Sequence, residues 1–232
     1  MCIRDRYTIA NNAGGNNDAK PSIQFNTATA TGLESATSFD IQLDLSAASG
    51  LESTVDYALS GGSPAATGSG TDYTIADGTV ALRAGETTAN ISATVVNDAL
   101  DENDEKFVIT ISDPNSNVSL GTNQTYTYTI QDDDDPPTVQ FNAVSSNATE
   151  GTNGTLKVDL SAASGKDVTV DYAVQASSTA TGGGTDYTLA DGTLTISAGS
   201  TTKNITITGG PINSSTVIPS DETGAERFPT AS

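Results

Sequence analysis

The stretch Val55-Asp56-Tyr57-Ala58, followed by Thr71-Asp72-Tyr73-Thr74-Ile75-Ala76-Asp77-Gly78-Thr79, returns as Val170-Asp171-Tyr172-Ala173 and Thr185-Asp186-Tyr187-Thr188-Leu189-Ala190-Asp191-Gly192-Thr193. Ser46-Ala47-Ala48-Ser49-Gly50 returns as Ser161-Ala162-Ala163-Ser164-Gly165, so the offset holds at 114 to 116 positions. A period of that length is a whole domain rather than a solenoid unit, and each copy has to bury a core of its own.

Within each copy the apolar residues fall at every second position. In the first, Ile23 and Phe25 precede Phe39, Ile41, Leu43 and Leu45, which are separated by Asp40, Gln42 and Asp44. The alternation continues through Val55, Tyr57 and Leu59, then Val80 and Leu82, then Ile91, Ala93 and Val95, then Phe107, Ile109 and Ile111, then Tyr126, Tyr128 and Ile130. Period two sends successive side chains to opposite faces, so each run reads as a half-buried strand, A to G in chain order. Thr, Val, Ile and Tyr fill these runs while Gly, Pro, Asn, Asp and Ser fill the gaps, and no helical stripe interrupts them. The expected fold is all-β: two tandem immunoglobulin-like antiparallel β-sandwiches.

Asp132 to Asp135 and Pro136-Pro137 mark the boundary, because neither a run of like charges nor paired prolines continues a central strand. The first domain is expected over 21–135 and the second over 136–208. The second repeats A (Val139, Phe141), B (Leu156, Val158, Leu160), C (Val168, Val170, Tyr172, Val174), D (Leu194, Ile196) and E (Ile205, Ile207). Nothing over 209–232 matches F or G, and Pro211, Pro219 and Pro229 oppose regular strands there, so the second sandwich is expected to be incomplete and followed by an irregular tail. Residues 1–20 are set apart as a non-native or disordered leader, since Met1-Cys2-Ile3-Arg4-Asp5-Arg6 is unlike the rest in composition.

Charge narrows the function. With 29 acidic against 9 basic residues the formal charge is −20, which repels nucleic acid and anionic lipid and favours cations as partners. The chain has no histidine and a single cysteine, Cys2, which removes the commonest general base, the commonest transition-metal ligand and any internal disulfide. No run approaches the roughly 18 apolar residues of a membrane span, and an apolar secretion signal is not found at the N-terminus; if the protein is secreted, its signal lies outside this stretch. Catalysis is not expected. A carboxylate pair could serve glycoside hydrolysis, but the acids lie in loops and the aromatic share is 5% with no Trp to form a sugar platform.

The acids gather where chain direction brings loops together. Asp98, Asp101, Glu102, Asp104 and Glu105 crowd the connection between E and F, and Asp132 to Asp135 crowd the exit of G. If consecutive strands alternate in direction, the A–B, C–D and E–F connections share one end of the sandwich with the exit of G, which also brings Glu34 and Asp72 there. Two like charges about 4 Å apart repel by roughly 1 kcal/mol in water and several times more near a protein surface, so such a gathering calls for a counter-ion. Calcium, with about 6 to 8 oxygen ligands at roughly 2.3 to 2.6 Å in flexible geometry, suits loops of this kind better than magnesium with its strict octahedron.

Phe25 with Glu34, Val55-Asp56-Tyr57, Gly70-Thr71-Asp72-Tyr73, Gly78-Thr79-Val80, Ala84-Gly85-Glu86-Thr87, Val95-Val96-Asn97-Asp98 through Glu102 and Glu105, Phe107, and Ile130-Gln131-Asp132-Asp133-Asp134 together resemble the Calx-beta module, over about 21–135 and again 137–208. That family is known from regulatory domains of sodium/calcium exchangers and from large bacterial surface proteins. The resemblance implies an immunoglobulin-like sandwich that holds Ca2+ at one tip through Glu34, Asp72, Asp98, Glu102, Glu105, Asp132, Asp133 and Asp134, with the Leu100 carbonyl as a backbone ligand. Asn97 and Ala99 stand where strong calcium binders of the family have acids, which implies one or two ions rather than a full set. In the second copy only Glu150 and Asp186 of the set survive, and no second site is expected. The functional expectation that the resemblance implies is a calcium-binding structural and adhesion array of an extracellular or cell-surface protein, whose ions stiffen the junction between modules, with neighbouring modules and a cell-surface protein or glycan as partners. The alternative is a metal-independent spacer or a protein- or glycan-binding module.

Overall fold

The structure, a computed structural model, describes residues 20–68, 71–176 and 178–211. The expected leader over 1–20 and tail over 209–232 therefore fall outside the described residues, apart from 20 and 209–211. The chain divides into two compact units, Met1–Ala99 with Asn103–Asp133, and Leu100–Glu102 with Asp134–Ser232. All regular structure among the described residues is β, and no helix there is long and apolar enough to cross a membrane.

The first unit contains β1 (Ser22–Phe25), β2 (Thr29–Leu33), β3 (Ser38–Leu45), β4 (Ser53–Gly61), β5 (Tyr73–Thr74), β6 (Gly78–Leu82), β7 (Thr88–Val95), β8 (Glu105–Ser112), β9 (Ser119–Leu120) and β10 (Thr125–Gln131). They form two five-stranded sheets, β5-β7-β3-β1-β9 and β2-β10-β8-β4-β6. Runs A to G become β1, β3, β4, β6, β7, β8 and β10, while β2, β5 and β9 are short strands in the connections. The pairing is antiparallel except where β9 lies parallel to β1 and β2 parallel to β10. The A segment thus serves both sheets: after Phe25 it leaves the first, and from Thr29 it joins the second as an edge.

The alternating residues of both sheets meet between them. Ile23, Phe25, Leu43, Val55, Leu82, Phe107 and Ile109 are fully enclosed, and Tyr73, Tyr126 and Tyr128 are buried with them as packing residues. Phe39 stacks on Tyr128 with ring centroids 4.0 Å apart, and Tyr73 lies 4.4 Å from Phe107. Burial pushes the Tyr126 phenol up to about 12, with the neighbouring Tyr128 adding to the effect. Gly32 answers to a close approach: a Cβ there would sit 2.1 Å from the Tyr128 hydroxyl, so only glycine lets β2 lie against β10.

The second unit has β11 (Val139–Phe141), β12 (Gly154–Leu160), β13 (Val168–Tyr172), β14 (Tyr187–Thr188), β15 (Gly192–Ile196) and β16 (Thr202–Gly209). Its sheets are β11-β12-β16-β14 and the two-stranded β13-β15. These repeat A, B, C, D and E, with β14 as the counterpart of β5, and nothing among the described residues corresponds to β8 or β10. The core shrinks accordingly to Val158, Leu160, Leu194, Ile196 and Ile205. Over the described residues it is an incomplete immunoglobulin-like sandwich.

Candidate metal centre

Strand register, not loop length, assembles the acidic end of the first unit. β2 runs parallel to β10 with Leu33 opposite Gln131, so the residues that follow, Glu34 and Asp132, leave the sheet side by side. The Glu34 N–H donates to the Gln131 carbonyl at 2.9 Å. Glu105 opens β8 opposite Ile130 and lies at the same end. β5 starts at Tyr73 opposite Val95, the last residue of β7, and the Val96 N–H donates to the Asp72 carbonyl at 2.9 Å. Asp72 therefore has its backbone against the segment that leads to Asp98.

Glu34 is the centre of this arrangement. Its side chain belongs to a residue only 6% exposed, and its Oε1 accepts the Asp98 N–H at 3.2 Å. Carboxylate oxygens of Glu34 and Asp98 lie within 4.8 Å of each other. The Ser35 hydroxyl donates to Asp133 Oδ2 at 2.6 Å, and the Asp132 N–H makes a long contact of 3.4 Å with Asp104 Oδ1. An ionised carboxylate taken out of water costs several kcal/mol unless it is hydrogen-bonded and neutralised. Two oxygens each about 2.4 Å from one ion can be at most about 4.8 Å apart, so Glu34 and Asp98 can reach a common hard cation. The donors are oxygen throughout, which fits calcium and excludes the nitrogen and sulfur coordination of zinc.

Asp72 has a second occupation. Its carboxylate accepts the Thr67 N–H at 2.5 Å while its own N–H donates to the Thr67 carbonyl at 3.0 Å. The second unit builds the same turn, with Asp186 accepting the Thr181 N–H at 2.6 Å. Because that copy has no counterpart of the E–F acids among its described residues, the turn stands without them: Asp72 shapes its loop whether or not it also meets an ion.

Leu100, Glu102 and Asp134 belong to the second compact unit, apart from Glu34, Asp72, Asp98, Glu105, Asp132 and Asp133 in the first. The segment 100–102 is fastened there by Asp101, whose weight the charge count alone did not reveal. Asp101 is 6% exposed, and its carboxylate meets the Lys166 ammonium at 2.6 Å. The Ser164 hydroxyl and the Gly165 N–H both donate to the Asp101 carbonyl at 3.0 Å, and Lys166 Nζ also donates to the Glu102 carbonyl at 3.0 Å. Two acids of the loop thus serve other partners: Asp101 is neutralised by a lysine, and Asp104 faces the Asp132 backbone. The sequence shows only that Lys166 stands where the other copy has Leu51, which names no partner for it.

The family described as Calx-beta domain matches residues 16–134 and 132–209. Among solved structures, the CBD12 pair of CALX1.2 is 23% identical, covering 81% of this chain and 74% of that one with a TM-score of 0.46. The calcium-binding domain pair CBD12 of CALX1.1 is 23% identical over 81% and 75%, with a TM-score of 0.45. The apo form of the Calx CBD1 domain is 24% identical over 49% of this chain and 98% of its own, with a TM-score of 0.45. No curated protein matches the chain.

Proposed function

The chain belongs to the Calx-beta domain family in two tandem copies, and from that premise we propose that its first module binds calcium at the tip where β2, β7 and β10 end, as part of a structural and adhesion array on a cell surface or outside the cell. The observation behind this reading is the enclosed Glu34 carboxylate, which faces the Asp98 carboxylate and takes a hydrogen bond from the Asp98 backbone. When bound there, a divalent ion would supply positive charge among these carboxylates. The residues do the rest. Glu34 and Asp98 are held near strand ends, and Glu105, Asp132 and Asp133 lie at the same end. Cancelling the repulsion in Asp132 to Asp135 directly before Pro136-Pro137 would restrict the hinge between modules and extend the array. The formal charge of −20 is consistent with an extracellular, cation-rich setting. The reading contains no catalytic step.

Affinity in the range of about 10⁻⁴ to 10⁻³ M, usual for extracellular modules, is expected. Free calcium at about ten times the dissociation constant then adds roughly 1.4 kcal/mol to the first unit, a rise of several degrees in melting temperature. Glu34→Gln should abolish the calcium-dependent rise. A melting temperature that is the same in millimolar calcium and in chelator removes the metal and leaves the second reading, a metal-independent spacer. That second reading draws on Asp72, whose loop is closed by two hydrogen bonds with Thr67. Stiffening is measured separately by small-angle scattering of the whole chain, whose distance distribution should narrow on adding calcium.

A further inference from the structure

Beyond the paired ends of β2 and β10, where Leu33 lies opposite Gln131, the Glu34 N–H donates to the Gln131 carbonyl at 2.9 Å. One more bond continues the fastening past that point. The Ser35 hydroxyl donates to Asp133 Oδ2 at 2.6 Å, joining residues 98 positions apart in the chain. Side chains thus hold the two exits together after the backbone ladder has ended. They do so against charge, because Glu34, Asp132 and Asp133 all leave the sheet at this end, and like charges gathered near a protein surface repel.

A local turn presents the hydroxyl. The Ala36 N–H donates to the Leu33 carbonyl at 3.0 Å, which closes a turn with Glu34 and Ser35 at its centre. The second copy closes the same turn around Glu150 and Gly151, its Thr152 N–H donating to the Thr149 carbonyl at 3.0 Å. There the third residue is a glycine in the left-handed region, φ 78°, whereas Ser35 turns without a positive φ. The glutamate is kept in both copies and the hydroxyl in one. The copy with the hydroxyl is the one whose described residues include acids after strands E and G.

We propose that Ser35 is a positioning residue of the candidate calcium centre: its hydroxyl holds the Asp133 carboxylate next to the Glu34–Ser35 turn before an ion arrives. This rests on the calcium reading given above. A carboxylate held in place beforehand loses less freedom when the ion binds, which raises affinity without adding a contact to it. A hydroxyl suits the task because it donates to a carboxylate without neutralising it. Lys166 does the opposite, meeting the Asp101 carboxylate with a full positive charge. Ser35 and Asp133 are both exposed, so their bond adds little to the empty module, and its loss is offset there by relief of repulsion among the acids.

Calcium chloride would be titrated calorimetrically into the full 232-residue chain and into its Ser35→Ala and Ser35→Thr variants, with thermal melting of each in chelator alongside. Ser35→Ala should weaken calcium about threefold to tenfold, the size expected for one hydrogen bond. Ser35→Thr, which keeps the hydroxyl, should bind as the parent does, and all three should melt alike in chelator. In an Asp133→Asn background, Ser35→Ala should weaken calcium by a clearly smaller factor, since the two residues act as one unit. Hydrogen exchange in chelator gives a readout without metal: protection of the Glu34 N–H should fall in Ser35→Ala and return in Ser35→Thr. Equal calcium affinity for Ser and Ala at position 35 overturns the proposal and leaves the calcium reading standing. So does a threonine variant as weak as the alanine one, or an alanine variant that melts lower in chelator yet binds calcium as before, which marks a bond that is structural only. A parent chain that takes up no calcium overturns the calcium reading and this proposal together.

Discussion

Phe25 and Phe141 occupy the same place in the two units, each between Gln and Asn on strand A, yet the first is 0% exposed and the second 54%. Nothing local distinguishes them. β1 and β11 pair with β3 and β12 in the same register, Phe25 opposite Leu43 and Phe141 opposite Val158. What differs is the facing sheet, which in the first unit brings β8 and β10 over the ring. The strands themselves tell the same story. β2 exists because β10 is there to pair with it, and the second half of β4 exists because of β8; in the second unit, where neither partner is found among the described residues, both segments are irregular. A period-two pattern makes a strand possible, but a ladder of hydrogen bonds makes it real.

The comparison breaks most visibly if the first unit is stripped of a ring that has no counterpart among the described residues of the second. Phe107→Ala should cost about 3 to 5 kcal/mol in chemical denaturation of the first unit, as for large core rings in general, while Phe141→Ala should change the second by less than about 1 kcal/mol. Equal effects would mean that the two cores are equivalent after all.

The next effect is alkaline. Tyr126 has a phenol pKa raised by burial to about 12, so its contribution is fully present below the unfolded value near 10 and is lost as pH climbs through 12. Between those limits the first unit should lose roughly 2 kcal/mol, and Tyr126→Phe should flatten that decline. A profile unchanged by the substitution would place the titration elsewhere.

A smaller change sharpens the contrast between Leu51 and Lys166. Lys166→Leu leaves the Asp101 carboxylate without its ammonium and should lower the midpoint of the second unit by about 1 to 2 kcal/mol. Leu51→Lys, at a site 63% exposed, should be neutral within about 0.5 kcal/mol. Urea melts followed by hydrogen exchange would report each unit on its own.

Much of this was legible beforehand. The alternation of Ile41, Leu43 and Leu45 gave β3 and its inward face, and the repeat gave the second set of strands from Val139 to Ile207. The gathering of Glu34 with the acids after Val95 and Gln131 was also visible through strand direction. The means was not: the approach of Glu34 to Asp132 depends on a parallel pair, β2 with β10, which Gly32 permits by leaving room for the Tyr128 hydroxyl. Nor could the acids be sorted by partner. Asp101 and Asp104 look like their neighbours in the sequence, and only the fold assigns one to a lysine and the other to a backbone N–H.

By itself the sequence determined the quantities that are local or periodic: which residues can form strands, which face of each is apolar, where two copies begin to repeat, and that the chain repels anions. The tertiary structure decided which of those strands have partners and which carboxylates become buried neighbours. The reason is that pairing and burial depend on segments distant in the chain. Identical local patterns therefore end as an enclosed ring at Phe25 and a half-exposed one at Phe141.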